Sequence, residues 1–111
     1  MKVSQETTND LVARLEQRKY GRQLSAMELA HQAGVGLDYV TRIENQQPIE
    51  DESIWQDLAN ALGVSAPLLR RIAGQDQMTV EELNELEECL ATPRKGEKRA
   101  TCQRLGLRDV A

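Results

Sequence analysis

The sequence predicts an all-α fold, in which a five-helix domain is followed by an extra C-terminal helix and a basic tail. Three observations predict this fold class. Apolar residues recur every three or four positions in successive segments, which is the spacing of one face of a helix. Serine, threonine or aspartate precedes these segments, where a side-chain oxygen caps a helix well. Glycine follows them, and glycine ends a helix at low cost because it adopts a left-handed conformation easily.

The composition limits the size and location of the protein. Its 111 residues and 40% hydrophobic content predict one small domain with an appendage. Phenylalanine is absent, so the core is expected to be aliphatic. The sequence contains no run of about 18 apolar residues, so no membrane span is predicted. Segment 1–10 lacks the apolar stretch of a signal peptide. We therefore expect a cytoplasmic protein that has no membrane partner.

The first helix is expected over about residues 8–20, where Leu11, Leu15 and Arg18 share one face. Three polar residues stand where its N-cap is expected, namely Thr8, Asn9 and Asp10.

Two short helical patterns then meet at Gly34. Ser25 and Glu28 form a predicted capping box at the start of the first pattern, and Gly34 ends it. The second pattern covers about residues 37–45. The residues that share the inner faces of the two helices are Leu29, Ala30, Ala33, Val40 and Ile43. This arrangement is typical of a helix-turn-helix, which holds its second helix out into the DNA major groove.

Cap and stop residues also mark the later helices. Asp51 and Gly63 bound the fourth, and Ser65 and Gly74 bound the fifth. Thr79 and Glu82 predict a capping box for a sixth helix, which runs to about Leu90. Segment 97–105 has the pattern of a further helical turn or two.

Residues 11–74 resemble the lambda-repressor-like (Xre or Cro/C1-type) DNA-binding domain. The resemblance is carried by the Glu-Leu-Ala of 28–30, the Gly-Val of 34–35, the Ile-Glu-Asn of 43–45 and the Leu-Ala-Asn-Ala-Leu-Gly-Val of 58–64. It implies a five-helix domain over 11–74, preceded by an N-terminal arm (1–10) and followed by a C-terminal region (75–111). It also implies a homodimer and an arginine that pairs with the glutamate ending the recognition helix. Here that pair would be Arg18 with Glu44, although Lys19 is a rival partner.

A helix in the major groove presents its first turn and the residues one turn later to base edges. On this chain those residues are Leu37, Asp38, Thr41 and Arg42. Arg42 is the strongest candidate, because a guanidinium makes two hydrogen bonds to guanine. Asp38 either accepts a hydrogen bond from cytosine or interacts with the positive end of its own helix.

Phosphate contacts are expected around this helix. The start of the second helix offers free N–H groups to an anion. The residues expected to contact the DNA backbone are Arg22, Ser25, Ala26, Tyr39, Asn45, Gln46 and Gln47. The family usually has a glutamine where this chain has Ala26. Tyr39 either reaches a phosphate or packs at the helix edge.

The charge is uneven along the C-terminal region. Segment 76–88 has six acidic and no basic residues, whereas segment 94–108 has six basic residues and one acidic residue. Four apolar residues form a stripe on the acidic helix, namely Val80, Leu83, Leu86 and Leu90. The stripe either packs on its own domain or pairs with a second copy, and dimerisation is the favoured role.

The two cysteines, Cys89 and Cys102, have no neighbouring histidine or second pair, so no metal site is expected. One disulfide is compatible with the composition, but a reducing cytosol favours two free thiols. The sequence also lacks a phosphate-binding loop and a nucleophile–base pair, so neither an enzyme nor a cofactor is expected. The expected function is a transcriptional regulator that binds double-stranded DNA. The alternative is a protein-interaction module, or an antitoxin, that binds a partner protein through the C-terminal region.

Overall fold

The computed structural model describes residues 1–91 and 96–108. The helices in these residues are α1 (Gln5–Tyr20), α2 (Ala26–Ala33), α3 (Leu37–Glu44), α4 (Glu52–Leu62), α5 (Ala66–Ile72), α6 (Val80–Ala91) and α7 (Gly96–Leu105). No strand forms in the described part, and no described helix is long and apolar enough to cross a membrane. Residues 92–95 and 109–111 lie outside the described residues, and Arg94 and Lys95 of the predicted basic tail are among them.

The first helix starts earlier than predicted. Ser4 is its N-cap and accepts a hydrogen bond from the backbone N–H of Thr7. Thr8 is fully buried inside α1, and its hydroxyl donates to the Ile72 carbonyl at 2.6 Å. The expected caps at Thr8, Asn9 and Asp10 are therefore wrong. The reason is that Thr8 makes a distant tertiary hydrogen bond, which no local pattern reveals.

Residues 1–4 are also part of the folded unit. The backbone N–H of Met78 donates to the carbonyl of Met1 at 2.7 Å, and Val3 is buried in the core. The predicted N-terminal arm thus packs on the segment that joins α5 to α6.

The caps predicted for α2, α4 and α5 are confirmed. Ser25 and Glu28 form the complete capping box of α2, and Gly34 ends that helix with φ +72°. Asp51 caps α4 through the N–H of Ser53, and Ser65 caps α5 through the N–H of Leu68. These side chains provide acceptors for N–H groups that a helix leaves unpaired at its start.

The apolar stripe of α6 packs on its own domain. Leu86 is fully buried, and Leu83 and Leu90 pack against the same core. Only Val80, at the N-terminal end of α6, is largely exposed. This packing, in which α1 and α7 both contact α6, favours the alternative that the stripe packs on its own domain, while dimerisation stays a prediction.

Cys89 and Cys102 form a disulfide, which corrects the expectation of free thiols. α6 and α7 pack against each other, so the two buried sulfur atoms come within bonding distance. The expectation rested on the cellular compartment, and the sequence does not show that these helices meet.

The segment after α7 returns to the five-helix domain. The backbone N–H of Ser65 donates to the Gly106 carbonyl at 2.7 Å, and that of Arg108 donates to the Gly63 carbonyl at 2.9 Å. Leu107 is buried in the same core as the side chains of α1 to α5. The described residues of the C-terminal region, 75–91 and 96–108, therefore belong to the same packed unit.

Candidate nucleic-acid interface

The outer face of α3 carries the side chains that the sequence predicts to contact bases. Val40 and Ile43 are buried at 2% and 3% exposure, which fixes the opposite face of α3 against the core. The four predicted base-contacting residues all lie exposed on the outer side, namely Leu37, Asp38, Thr41 and Arg42. The structure brings them together on one short helix, which the sequence spacing anticipated.

Two of these four residues are already engaged within the protein. The hydroxyl of Thr41 donates to the carbonyl of Leu37 at 3.2 Å. The guanidinium of Arg42 lies over the ring of Tyr39, 5.7 Å from its centroid, and its Nη1 donates to the Pro48 carbonyl at 3.5 Å. The partly buried Tyr39 thus packs at the edge of α3 and contacts Arg42.

Asp38 folds back over the start of its own helix. Gly36 is the N-cap of α3 and supplies no side-chain hydrogen bond. A Cβ atom on Gly36 would lie only 2.6 Å from Oδ1 of Asp38, so the glycine leaves room for this carboxylate. A carboxylate in the first turn interacts favourably with the partial positive charge there. This position fits the alternative in which Asp38 interacts with the positive end of its own helix.

An ion pair stands at the start of α2. Arg22 Nη1 and Nη2 donate to the two carboxylate oxygens of Glu28 at 3.1 and 2.5 Å. These hydrogen bonds, with one from the backbone N–H of Ser25, lower the pKa of Glu28 to about 2. They also raise the pKa of Arg22. The exposed charge of Arg22 is therefore shared with Glu28, and both residues lie beside Ser25 and Ala26.

The three predicted phosphate contacts in the loop after α3 have different environments. Gln46 has φ +55°, and its Nε2 donates to the Val3 carbonyl at 2.7 Å and to the Thr8 hydroxyl at 3.0 Å. Its amide thus holds the loop on α1, which differs from the expected outward contact. Asn45 is exposed and its Oδ1 accepts from Gln5 at 3.0 Å, while Gln47 is exposed.

Arg18 and Glu44 do not form the expected pair. The Arg18 guanidinium donates to the backbone carbonyl of Arg108 instead. No ion pair of Glu44 occurs within residues 1–91 and 96–108. Glu16, two residues before Arg18 and therefore on another face of α1, is the residue that approaches Glu44.

Lys19, the rival partner, also points elsewhere. Its ammonium group donates to the backbone carbonyl of Asn60 at 2.6 Å. Lys19 therefore ties the end of α1 to α4, and Arg18 ties it to the segment after α7, whereas neither residue contacts α3 through these bonds.

Sequence reasoning missed Glu16. Its side chain is only 4% exposed, and its Oε1 accepts the backbone N–H of Leu24 at 3.2 Å. Burial raises the pKa of Glu16 above its ordinary value, and the charges of Glu44 and Glu28 add to this effect. The spacing of Val12 and Glu16 was the available signal that Glu16 is buried. Residues four positions apart share a face of a helix, so an acidic residue at this spacing lies beside the buried valine.

The three acidic residues of segment 50–52 have different environments. Asp51 caps α4, and its hydrogen bonds to Ser53 lower its pKa. Glu52 forms an ion pair with Arg70, whose guanidinium lies 5.8 Å from the centroid of the buried Trp55. Two of the three acids thus have internal roles, and Glu50 remains exposed beside the loop that follows α3.

The protein family described as a helix-turn-helix domain matches residues 10–72, which is more than half of the chain. The matched segment contains most of α1 and all of α2 to α5, together with the exposed face of α3. Searches of curated proteins and of solved structures each found no match.

Proposed function

The chain belongs to the helix-turn-helix domain family, and on that premise we propose that it is a sequence-specific transcriptional regulator of the Xre (Cro/C1) type. In this proposal α3 enters the major groove of double-stranded DNA. The observation that carries it is the outer face of α3, where four side chains with base-reading chemistry are exposed while Val40 and Ile43 fix the helix from behind.

Each exposed residue has a distinct role in the proposal. Arg42 donates two hydrogen bonds to a guanine, a contact worth about 1–3 kcal/mol of discrimination. Leu37 covers a thymine methyl group, and Thr41 contacts a neighbouring base edge. Asp38 either accepts from cytosine or keeps its position over the start of α3.

The DNA backbone would lie against the start of α2 and the loop after α3. The first N–H groups of α2 point out of the helix and attract a phosphate. Ser25 and Ala26 stand at that end, Arg22 lies beside it, and Asn45 and Gln47 are exposed on the other side of α3. Because Glu28 already pairs with Arg22, this arginine releases few counterions from the DNA, and we expect modest affinity with a weak dependence on salt.

A homodimer that reads two related half-sites is part of the proposal, as is a cytoplasmic location, where DNA is accessible. Leu86 is buried within one copy, so the two copies would meet through a surface other than the centre of the α6 stripe. Helix-turn-helix domains of this family are typically non-enzymatic, and no catalytic role is proposed.

Selection of bound sequences from a random duplex pool tests this function. The selection is made at about 0.15 M salt, where non-specific binding is weak. We expect an enriched motif with two-fold symmetry. Arg42→Ala should lose that motif while its helical circular dichroism stays unchanged, because Arg42 is exposed. If the folded wild type enriches no sequence, the proposal is wrong.

The alternative function is a protein-interaction module or an antitoxin that uses the C-terminal region. The exposed glutamates of α6, Glu81 and Glu88, are the feature that favours it. A folded protein that enriches no DNA sequence would support this alternative.

A further inference from the structure

We infer that Tyr39 is a positioning residue for Arg42, which it holds so that one edge of the guanidinium faces a guanine. The inference rests on the proposed function and deepens it, because it assigns a guanine-containing half-site and a residue that acts through another. It starts from two contacts of Arg42 in the free protein.

The first contact is with the aromatic ring. Tyr39 and Arg42 are three residues apart on α3, so their side chains are neighbours on the helix surface. The guanidinium carbon lies 5.7 Å from the ring centroid, within the range of a cation–π interaction. Tyr39 is itself half-buried, so its ring is a fixed platform rather than a free side chain.

The second contact uses one end of the guanidinium. Nη1 donates to the carbonyl of Pro48, which follows α3 in the chain. The hydrogen atoms on Nε and Nη2 lie on the other edge of the planar group and form a parallel pair. No residue in the described part of the chain accepts from these two atoms.

The free edge has the geometry that guanine recognition needs. Guanine presents two acceptors in the major groove, O6 and N7, and a planar pair of donors matches them. A long side chain that is free in solution loses conformational entropy when it binds. The ring and the Pro48 carbonyl restrict Arg42 before binding, so less entropy remains to be lost in the complex.

The size of the effect follows from the strength of the stacking. A cation–π contact at an exposed site corresponds to about a two- to five-fold change in an equilibrium constant. Removing the ring should therefore lower discrimination for guanine by about two- to five-fold, while Arg42 and its charge remain.

The experiment compares variants on the selected duplex and on three duplexes that replace one guanine with each other base. Arg42→Lys keeps the charge but not the planar donor pair. The guanine that Arg42 contacts is therefore identified as the position at which this variant loses its preference for guanine over the other bases. We expect Tyr39→Leu to lose two- to five-fold discrimination at that same position. Tyr39→Phe should retain it, because the ring remains.

Three results would overturn the inference. The first is discrimination by Tyr39→Leu that equals that of the wild type. The second is binding weakened equally on all four duplexes in both Tyr39→Phe and Tyr39→Leu, which is the behaviour of a hydroxyl that contacts phosphate. The third is retention of every base preference by Arg42→Lys. In each case the wild type still has its motif, so the proposed function stands; a wild type without a motif refutes both proposals.

A measurement on the free protein covers the case in which Tyr39→Leu does not fold. An aromatic ring shifts the NMR signals of protons above its face upfield. The Hδ protons of Arg42 should be shifted upfield in the wild type and in Tyr39→Phe. Signals at random-coil positions in the wild type would contradict the inference without any DNA.

Discussion

The carboxylate of Glu16 accepts the backbone N–H of Leu24 and so joins the middle of α1 to the start of α2. The bond lies in the interior, where Glu16 is 4% exposed. Glu16 and Glu44 both line a cavity of about 80 Å³ between the first three helices. Burial raises the pKa of Glu16, because an ionised carboxylate loses its hydration there.

This raised pKa predicts that Glu16 destabilises the domain as the pH rises. The folded state holds the proton more tightly than the unfolded state, whose pKa is near 4.5. The stabilising contribution is therefore fully present below pH 4.5 and is lost as the pH rises through the folded-state pKa. Glu16→Gln, which cannot ionise, should gain stability relative to the wild type as the pH rises above 4.5. Urea unfolding of both proteins at several pH values measures this difference.

Glu16→Ala is the control, since it removes the charge and the acceptor together. It leaves the N–H of Leu24 without its partner in a buried site, which costs about 1–3 kcal/mol. A stability difference between Glu16→Gln and the wild type that does not change with pH would contradict the prediction.

The turn between α2 and α3 supplies the second prediction. Gly34 has φ +72°, and a Cβ atom added there would contact nothing within 4 Å. Gly34→Ala should therefore destabilise the domain through backbone conformation alone, by about 1–2 kcal/mol. Gly34→Asn should cost less, because asparagine tolerates this conformation better. Thermal unfolding of the three proteins gives the order, and equal loss in both variants would argue for a different cause.

Features determined by neighbouring residues could be predicted from the sequence. The capping box of Ser25 and Glu28 and the stop at Gly34 depend on residues within one or two turns. The exposed face of α3 follows from the spacing of Val40 and Ile43, because two buried positions fix the rotation of a short helix. These features suffice to locate the candidate interface.

Features that depend on distant contacts could not be predicted. The sequence predicts that Gln46 contacts the DNA backbone, whereas in the structure the Val3 carbonyl and the Thr8 hydroxyl accept its amide protons. The family resemblance pairs Arg18 with Glu44, yet the guanidinium of Arg18 donates to the Arg108 carbonyl, ninety positions along the chain. A single sequence contains no signal for pairings at such separations, since they are created by packing.

Leu86 and Val80 test the packing of α6. Leu86 is fully buried, whereas Val80 is 55% exposed on the same helix. Leu86→Ala should lower the free energy of unfolding by about 2–5 kcal/mol, because it leaves a cavity in the core. Val80→Ala should change it by less than about 0.5 kcal/mol, as expected for an exposed position. Urea denaturation measures both. A small loss for Leu86→Ala, with dissociation of a dimer in sedimentation, would restore the stripe as a surface between copies.

The Cys89–Cys102 disulfide supplies the last prediction. It closes a loop with a sequence separation of 13 and ties α7 to α6. Cross-linking a loop of this length lowers the conformational entropy of the unfolded chain, which stabilises the folded state by about 3 kcal/mol. The double variant Cys89→Ser, Cys102→Ser should therefore unfold at a lower urea concentration than the oxidised wild type. Adding a reductant should destabilise the wild type but leave the variant unchanged.

Hydrogen exchange at Ser65 shows how far the effect of the disulfide extends. Its backbone N–H donates to the carbonyl of Gly106, directly after α7. If the disulfide holds α7 and the following segment in place, this N–H should exchange faster in the double variant. The N–H of Leu29, inside α2 and far from the disulfide in the chain, is the internal control and should change less. Free thiols in the unreduced protein, detected by mass spectrometry after alkylation, would contradict the disulfide itself. Equal exchange at Ser65 in the oxidised protein and the variant would show that the main-chain pairing holds the C-terminal segment without the cross-link.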